Sequence, residues 1–258
     1  MDILNIIIFF IFGTLFGSFV NVLVLRYNTG HSCLTGRSKC MSCGKKLSWY
    51  ELVPLFSFVF LEGKCLGCGS KISPQYFIVE SLTGILFSAL FVKVGLTSFL
   101  PFYLLVTTVL IAMSVYDFRH KIIPDGMVFT FDAFALIFLF FSHGFSGVFS
   151  EDFLAGPILF LFFWALWFFS KGKWMGFGDA KLALGVGWLL GFSGGTFAIM
   201  MAFWMGAAWS IAVMVLHKLK LSHLKLTMKS EIPFAPFIII ALFTQLFTGW
   251  TFLSFVGI

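Results

Sequence analysis

The chain has 258 residues, of which 60% are hydrophobic and only 11% are charged, and its mean hydropathy is +1.02. In soluble domains roughly a quarter of all residues are charged, so this composition excludes an ordinary soluble enzyme. A disordered chain and a disulfide-rich secreted scaffold are excluded as well, because both contain few large apolar residues, whereas this chain has 38 Phe. The few polar stretches must therefore carry the chemistry.

Eight apolar runs with few or no charges follow one another along the chain. They are too long and too little alternating for barrel strands, so they predict an all-α, polytopic transmembrane helical bundle of about eight spans. The first run lacks a basic preceding region and is expected to be an uncleaved anchor. The sixth is short and ends at Ser193-Gly194-Gly195, which leaves a broken or re-entrant helix as an alternative. The runs are 3–25, 77–92, 99–116, 127–142, 153–170, 182–192, 196–216 and 233–256.

The basic residues give an independent test of this layout. With eight spans and an external N-terminus, every Lys and Arg except Lys93 falls on one side of the membrane. By the positive-inside rule that side is cytoplasmic. The formal charge of +6 is then a topological signal that also favours contact with anionic membrane lipid. Nucleic-acid binding is not expected, because no aromatic-basic recognition motif accompanies the charge.

The largest polar stretch, 26–73, contains two C-x-x-C pairs about twenty residues apart. This spacing predicts a cytoplasmic loop domain with a tetrahedral, structural zinc site made by four thiolates. Paired disulfides and a redox dithiol are the competing interpretations, but the loop is expected on the reducing side. Cys33 is expected to be a thiol that takes no part in the site. The alternative is that Cys33 and His31 serve as metal ligands. The four predicted ligands are Cys40, Cys43, Cys65 and Cys68.

Acidic residues are few enough to be weighed one by one, and two lie at cytoplasmic helix ends. Asp117 closes the third run and Asp179 precedes the sixth, in Gly176-Phe177-Gly178-Asp179. Paired carboxylates that share a proton can act as general base and general acid on a peptide bond. The competing hypotheses are an ion or proton path, and an N-cap role for Asp179 and for Asp125. Asp132 and Glu80 are expected to be buried hydrogen-bonding residues that join helices.

Four features in this order resemble those of the bifunctional type IV prepilin peptidases of the GxGD aspartyl protease group. They lie between Gly17 and Leu182, and the late stretch 233–237 also looks like a family element. The four are Gly17-Ser18-Phe19-Val20-Asn21-Val22, the paired C-x-x-C loop, Asp117 with Ile123-Pro124-Asp125, and Met175-Gly176-Phe177-Gly178-Asp179-Ala180-Lys181-Leu182.

The resemblance implies that Asp117 and Asp179 are catalytic, with Gly176, Gly178 and Lys181 supporting their loop. It implies cleavage of the basic leader of type IV prepilins or pseudopilins after a glycine, at the cytoplasmic face of the bacterial inner membrane. The new N-terminal amine would then be methylated by S-adenosylmethionine. Glu80 falls where the family carries an acid and is expected to bind substrate or amine, while Asp125 would help to attract the basic leader.

On this interpretation the chain divides into a first transmembrane helix (1–25), a zinc-binding loop associated with methyl transfer (26–73) and a transmembrane aspartyl peptidase domain (74–258). Two other functions are compatible with the same residues: a transporter or channel with a zinc-stapled loop, and a membrane scaffold organised by that loop. Against the transporter, the chain has no clear internal repeat.

Overall fold

The computed structural model describes residues 2–30, 32–33, 35–143, 151–219, 233–251 and 254. His31, the basic residues Lys220, Lys225 and Lys229, and the end of the last predicted run lie outside the described residues. Within them the chain forms eight α-helices. These are α1 (Ile3–Arg26), α2 (Phe56–Phe60), α3 (Gln75–Val94), α4 (Leu100–His120), α5 (Asp125–His143), α6 (Glu151–Ser170), α7 (Phe177–Lys218) and α8 (Ala235–Thr248).

Six of these helices, α1 and α3 to α7, are long and apolar enough to cross a membrane, whereas α8 has only 14 residues. The described part of the chain contains no β-strand, only two isolated bridges in the loop between α1 and α3. That loop also holds a 3-10 turn at Trp49–Leu52 and the short α2. The prediction of an all-α membrane bundle with a cysteine-containing loop is therefore confirmed.

The 42-residue α7 is two helices joined at Gly191, where the backbone has φ 69° and ψ −178°. A Cβ added at Gly195 would lie 3.4 Å from the Cα of Gly187, eight residues earlier. Eight residues of straight helix would separate these positions by about 12 Å, so the chain folds back at Gly191. Its two arms, 177–190 and 192–218, correspond to the sixth and seventh predicted runs. With both arms counted separately, the described residues hold eight apolar helical segments.

Glycines let both arms of α7 pack closely against α6, the first arm against its backbone and the second against a side chain. A Cβ at Gly187 would lie 2.6 Å from the backbone of Gly156, and a Cβ at Gly195 would lie 2.9 Å from the Leu159 side chain. Between helices surrounded by lipid, where little hydrophobic force draws them together, such close contact supplies the attraction. Trp188 of the first arm adds a hydrogen bond of 3.0 Å from Nε1 to the carbonyl of Phe153.

By its internal contacts the chain divides into two compact units, Met1–Ala112 and Met113–Ile258. In the first unit, α1 packs along α3. Gly13 of α1 lies against the backbone of Thr83 and Gly84 in α3, while Gly17 lies against Glu80. In the second unit, α7 packs against α5, α6 and α8.

The glycine contact between α6 and α7 yields a stability prediction. Gly187→Ala places a methyl group inside the backbone of α6 and is expected to destabilise the protein by about 1–3 kcal/mol, the usual cost of overpacking. The matched control is Gly206→Ala in the second arm, where the nearest atom to an added Cβ is the Phe234 ring at 3.5 Å. Thermal unfolding in detergent measures both, and equal melting temperatures for the two variants would contradict the close contact.

Candidate functional site

The two C-x-x-C pairs form knuckles with the same backbone geometry, displaced by 25 residues. The amide of Gly44 donates to the carbonyl of Cys40 at 2.9 Å, and the amide of Gly69 donates to that of Cys65 at 2.8 Å. Both glycines have φ near 70°, the left-handed region that glycine adopts without steric cost. Isolated bridges join Lys39 to Lys46 and Lys64 to Lys71 and close the two knuckles at equivalent positions.

The knuckles bring four thiols together into a site that could hold a metal ion. The Sγ atoms of Cys40, Cys43, Cys65 and Cys68 all lie within 4.8 Å of one another. The Sγ atoms of Cys40 and Cys68 are 3.9 Å apart, far longer than a disulfide bond of about 2.05 Å. Two thiolates on one tetrahedral zinc at about 2.3 Å would be about 3.8 Å apart. All five cysteines are free, and Cys33 instead faces the Leu23 carbonyl at 4.0 Å.

Hydrogen bonds inside the knuckles favour the thiolate form of two of these cysteines. The backbone amides of Cys43 and Ser42 lower the pKa of Cys40 to about 6. The hydroxyl and amide of Ser70 lower the pKa of Cys68. At Cys43 the amide of Lys45 lowers the pKa. The neighbouring thiols and burial act in the opposite direction and are stronger, so the pKa of Cys43 is raised to about 11. A metal ligand must be deprotonated, so the amides and the hydroxyl prepare part of the site for a cation.

An ion pair between a half-exposed lysine and a buried glutamate supports the first knuckle. Lys45 Nζ lies 3.1 Å from Glu51 Oε1, while the backbone N–H of Ser48 donates to Glu51 Oε2 at 2.8 Å. The Ser48 amide and the Lys45 ammonium keep the pKa of Glu51 below its ordinary value, although burial opposes them. A second ion pair lies at the other knuckle, where Lys64 Nζ is 3.0 Å from Glu62 Oε2.

Both predicted catalytic acids are buried at helix ends in the second unit. Asp117 lies in the last turn of α4 and is 4% exposed. The backbone N–H of Ala235, the first residue of α8, donates to its carboxylate, while Oδ2 has no hydrogen-bond partner among the described residues. Asp179 lies in the first turn of α7 and is also buried. The two carboxylates are close enough for the charge of Asp117 to act on Asp179.

The N-cap hypothesis for Asp179 is wrong, because α7 begins three residues earlier than it requires. Gly176 is the N-cap, and Asp179 is the third helical residue. Its Oδ2 accepts a hydrogen bond of 3.2 Å from the Gly176 amide. The carboxylate thus satisfies one of the free amides at the helix start and favourably meets the positive end of the helix dipole. The N-cap hypothesis is wrong for Asp125 as well, because Asp125 is itself the first residue of α5.

Gly178 is needed for packing against the segment between α4 and α5. A Cβ at Gly178 would lie 2.9 Å from the Cβ of Ile123, so any larger residue would displace that segment. At Gly176, in contrast, an added Cβ would lie 3.4 Å from Asp179 Oδ2, an ordinary contact. The packing therefore requires a glycine at position 178, where Ile123 lies against the backbone, but not at position 176.

Lys181 lies two residues beyond Asp179 and pairs with Asp125. The distance from Nζ to Asp125 Oδ1 is 2.7 Å, and the ammonium lies over the rings of Phe129 and Phe177, at 5.2 and 4.9 Å from their centroids. The lysine side chain is mostly buried, whereas the Asp125 side chain is 65% exposed. The pair ties the start of α5 to the start of α7 and leaves much of the Asp125 carboxylate accessible.

Asp132 is a further buried acid on α5 that sequence reasoning treated as a helix-joining hydrogen-bond residue. It does face α7, where Oδ1 contacts Gly185 and the charge of Lys181 reaches it. Both its oxygens are buried, and neither has a hydrogen-bond partner of normal geometry within the described ranges.

Glu80 belongs to the first unit and is engaged by the cysteine loop. It is 6% exposed in the second turn of α3, and its Oε2 accepts a hydrogen bond of 2.8 Å from the Leu55 amide. The Ser18 hydroxyl of α1 also hydrogen-bonds to it. As predicted, this acid makes buried hydrogen bonds, and its partners are α1 and the loop. Sequence reasoning missed Leu55 and the Ala235 amide; the signal for Ala235 was the motif Pro233-Phe234-Ala235-Pro236, whose role the sequence left unassigned.

Two family models match the chain in succession. Residues 11–94 match the bacterial peptidase A24 N-terminal domain, and residues 104–211 match the type IV leader peptidase family. The first stretch contains the four clustered cysteines, and the second contains Asp117 and Asp179.

Similar proteins include several described as prepilin leader peptidase/N-methyltransferase. The one from Vibrio cholerae is 31% identical over 206 residues, which cover 74% of this chain and 79% of that protein. The one from Bacillus subtilis is 30% identical over 232 residues, 89% of this chain and 88% of the relative. The one from Myxococcus xanthus is 36% identical over 118 residues, but the match spans only 46% of this chain and 35% of that protein. No solved structure matches the chain.

The thiol cluster predicts about one bound metal ion per chain. Elemental analysis of the purified protein is expected to find that ion, and Cys43→Ser is expected to remove most of it, because three thiolates hold such a metal far more weakly than four. Cys33→Ser is the matched control, since its thiol lies outside the cluster, and it should leave the metal content unchanged. Equal metal content in both variants and the parent would contradict the site.

Proposed function

Because the chain belongs to the type IV leader peptidase family and is therefore a peptidase, we propose that it cleaves the basic leader from type IV prepilins or pseudopilins after a glycine. It then methylates the new N-terminal residue. The observation that carries the proposal is a pair of buried carboxylates, Asp117 and Asp179, which interact electrostatically within the stretch matched by the family model.

The chemistry proposed for this pair is that of an aspartic peptidase. One carboxylate accepts a proton from a water molecule as the water oxygen bonds to the scissile carbonyl carbon. The other gives its proton to the amide nitrogen as the C–N bond breaks, so that acid and base exchange roles over one cycle. Asp179 Oδ2 already accepts a hydrogen bond from the Gly176 amide, whereas Asp117 Oδ2 is buried and has no hydrogen-bond partner among the described residues.

The surroundings of the pair are proposed to position it and to attract the leader. Gly176 supplies the amide that orients Asp179, and Gly178 lets Ile123 pack beside it. The Lys181–Asp125 pair fixes the start of α7 against α5. Asp125 keeps an accessible carboxylate for a basic residue of the leader. Glu80, which accepts a hydrogen bond from Leu55 of the cysteine loop, is the second proposed substrate-binding acid.

The remaining parts of the proposal concern the cofactors and the membrane. The four thiolates would hold a structural zinc ion, because a closed four-cysteine set suits that metal. S-adenosylmethionine is the proposed methyl donor, by analogy with the name of the relatives. The distribution of Lys and Arg supports an inner-membrane orientation with the N-terminus outside and the cysteine loop and catalytic acids at the cytoplasmic face.

The aspartate pair is tested by charge-removing substitutions of nearly equal shape. Asp117→Asn and Asp179→Asn are each expected to lower the cleavage rate of a prepilin in reconstituted membranes at least ~100-fold, the usual contribution of one general acid or base. Asp132→Asn is the matched control, because it removes another buried carboxylate of the same unit that has no part in the reaction, and it should keep most of the activity. Full cleavage by either catalytic variant would overturn the assignment.

The role of Asp125 is tested by matching the variant to the substrate. Asp125→Asn is expected to raise KM several-fold for a leader with its basic residues and to change kcat little, because the carboxylate contributes attraction and not proton transfer. For a leader in which those residues are Gln, the variant and the parent should have the same KM. An equal rise in KM for both leaders would assign Asp125 to structure alone.

A further inference from the structure

An exposed apolar segment lies between the two knuckles of the cysteine loop. The interknuckle segment, residues 49–60, comprises the 3-10 turn and α2. Trp49 is 79% exposed, Phe56 is 61% exposed and Phe60 is 80% exposed, and Tyr50 and Val59 are more than half exposed. A polar loop rarely leaves so many large apolar side chains together in water, so the face they form marks an interaction site.

The opposite face of the interknuckle segment is fastened to α3 within the same unit. The Leu55 amide, at the start of α2, donates to Glu80 of α3 at 2.8 Å. The ring of Phe58 lies 5.5 Å from that of Phe77, also on α3. Phe56 and Phe60, four residues apart and with their rings parallel at 6.4 Å, point away from that attachment. The segment thus has an attached inner face and a free aromatic outer face.

The attachment points place α2 at a definite depth in the bilayer. α3 has 20 residues and is long and apolar enough to cross a membrane, with a length of about 30 Å that matches the hydrocarbon core. Phe77 and Glu80 are its third and sixth residues, roughly 3 to 8 Å from its start. Because α2 is held at these residues, it lies at the level where headgroups meet acyl chains.

The composition around the interknuckle segment fits that level. Amphipathic aromatic residues such as Trp49 and Tyr50 are enriched at membrane interfaces. Lysines precede the segment at Lys45 and Lys46 and follow it at Lys64. Lys45 and Lys64 are paired with Glu51 and Glu62, so Lys46 supplies the charge that suits anionic headgroups. Short elements with one apolar face and flanking basic residues bind in the interface plane with that face among the acyl chains.

We propose that the interknuckle segment is a membrane-docking surface. It inserts the side chains of Trp49, Phe56 and Phe60 between the phospholipids of the leaflet next to the cysteine loop and holds both knuckles against the headgroups. The partner is therefore the lipid surface itself. The surface does not depend on the aspartate pair or on the reaction proposed for it, because every residue that forms it belongs to the first unit.

The test is photocrosslinking in the full chain. A benzophenone amino acid replaces Phe60, and the protein is reconstituted in nanodiscs of phosphatidylcholine and phosphatidylglycerol, irradiated and analysed by mass spectrometry. Met41 is the matched control position, because it is 87% exposed in the first knuckle but lies outside the interknuckle segment. Lipid adducts at position 60 should exceed those at position 41 at least several-fold. Equal yields at the two positions would overturn the proposal.

A second arm separates lipid from a protein partner. Adding a prepilin peptide that contains its apolar helix should leave the lipid adducts at position 60 unchanged. Replacement of lipid adducts by peptide adducts would overturn the proposal and assign the face to the substrate. The same measurement with the probe at Trp49, in the 3-10 turn and not in α2, guards against a folding defect of a single variant and is expected to give the same result.

Discussion

A polar group in lipid is stable only where another group of the protein, or water at the membrane edge, satisfies it, and this constraint governs where the acids of this chain lie. Asp117 is in the last turn of α4, Asp125 in the first turn of α5 and Asp179 in the first turn of α7. Helix ends are also where free backbone amides are available, and the amides of Gly176 and Ala235 each reach one of these carboxylates. Of these three acids at helix ends, Asp117 and Asp179 are buried and Asp125 stays mostly exposed.

Holding such acids in place requires helices that approach closely, and glycine makes this possible. Gly178 allows Ile123 to pack onto the start of α7, while Gly187 allows the first arm of α7 to touch the backbone of α6. The reversal at Gly191 lets one continuous stretch supply two packed arms. Since lipid provides little hydrophobic force between helices, these close contacts and the Lys181–Asp125 pair fix the catalytic candidates.

Much of this arrangement could be predicted from the sequence, for physical reasons that also set the limit. Apolar runs of membrane length predict helices directly. The two C-x-x-C pairs predict a thiol cluster, because the tight turn in each pair brings its two sulfur atoms together. Contacts between single polar atoms that are far apart in the chain leave no comparable pattern in the sequence. Neither the amide of Ala235 beside Asp117 nor that of Leu55 on Glu80 follows from spacing, because each depends on how separate segments pack. The start of α7 at Phe177 was missed because a glycine served as the N-cap.

The cysteine loop shows how a small polar domain can be stable beside a membrane. Its knuckles repeat the same hydrogen bonds 25 residues apart, but neither has an apolar core of its own. A metal ion on four thiolates would cross-link the two, and Glu80 ties the segment between them to α3. The metal would hold both ends of this segment, while Glu80 holds its middle at Leu55. The exposure of its aromatic side chains accompanies the attachments that give the loop its shape, and the proposed lipid contact would cover them.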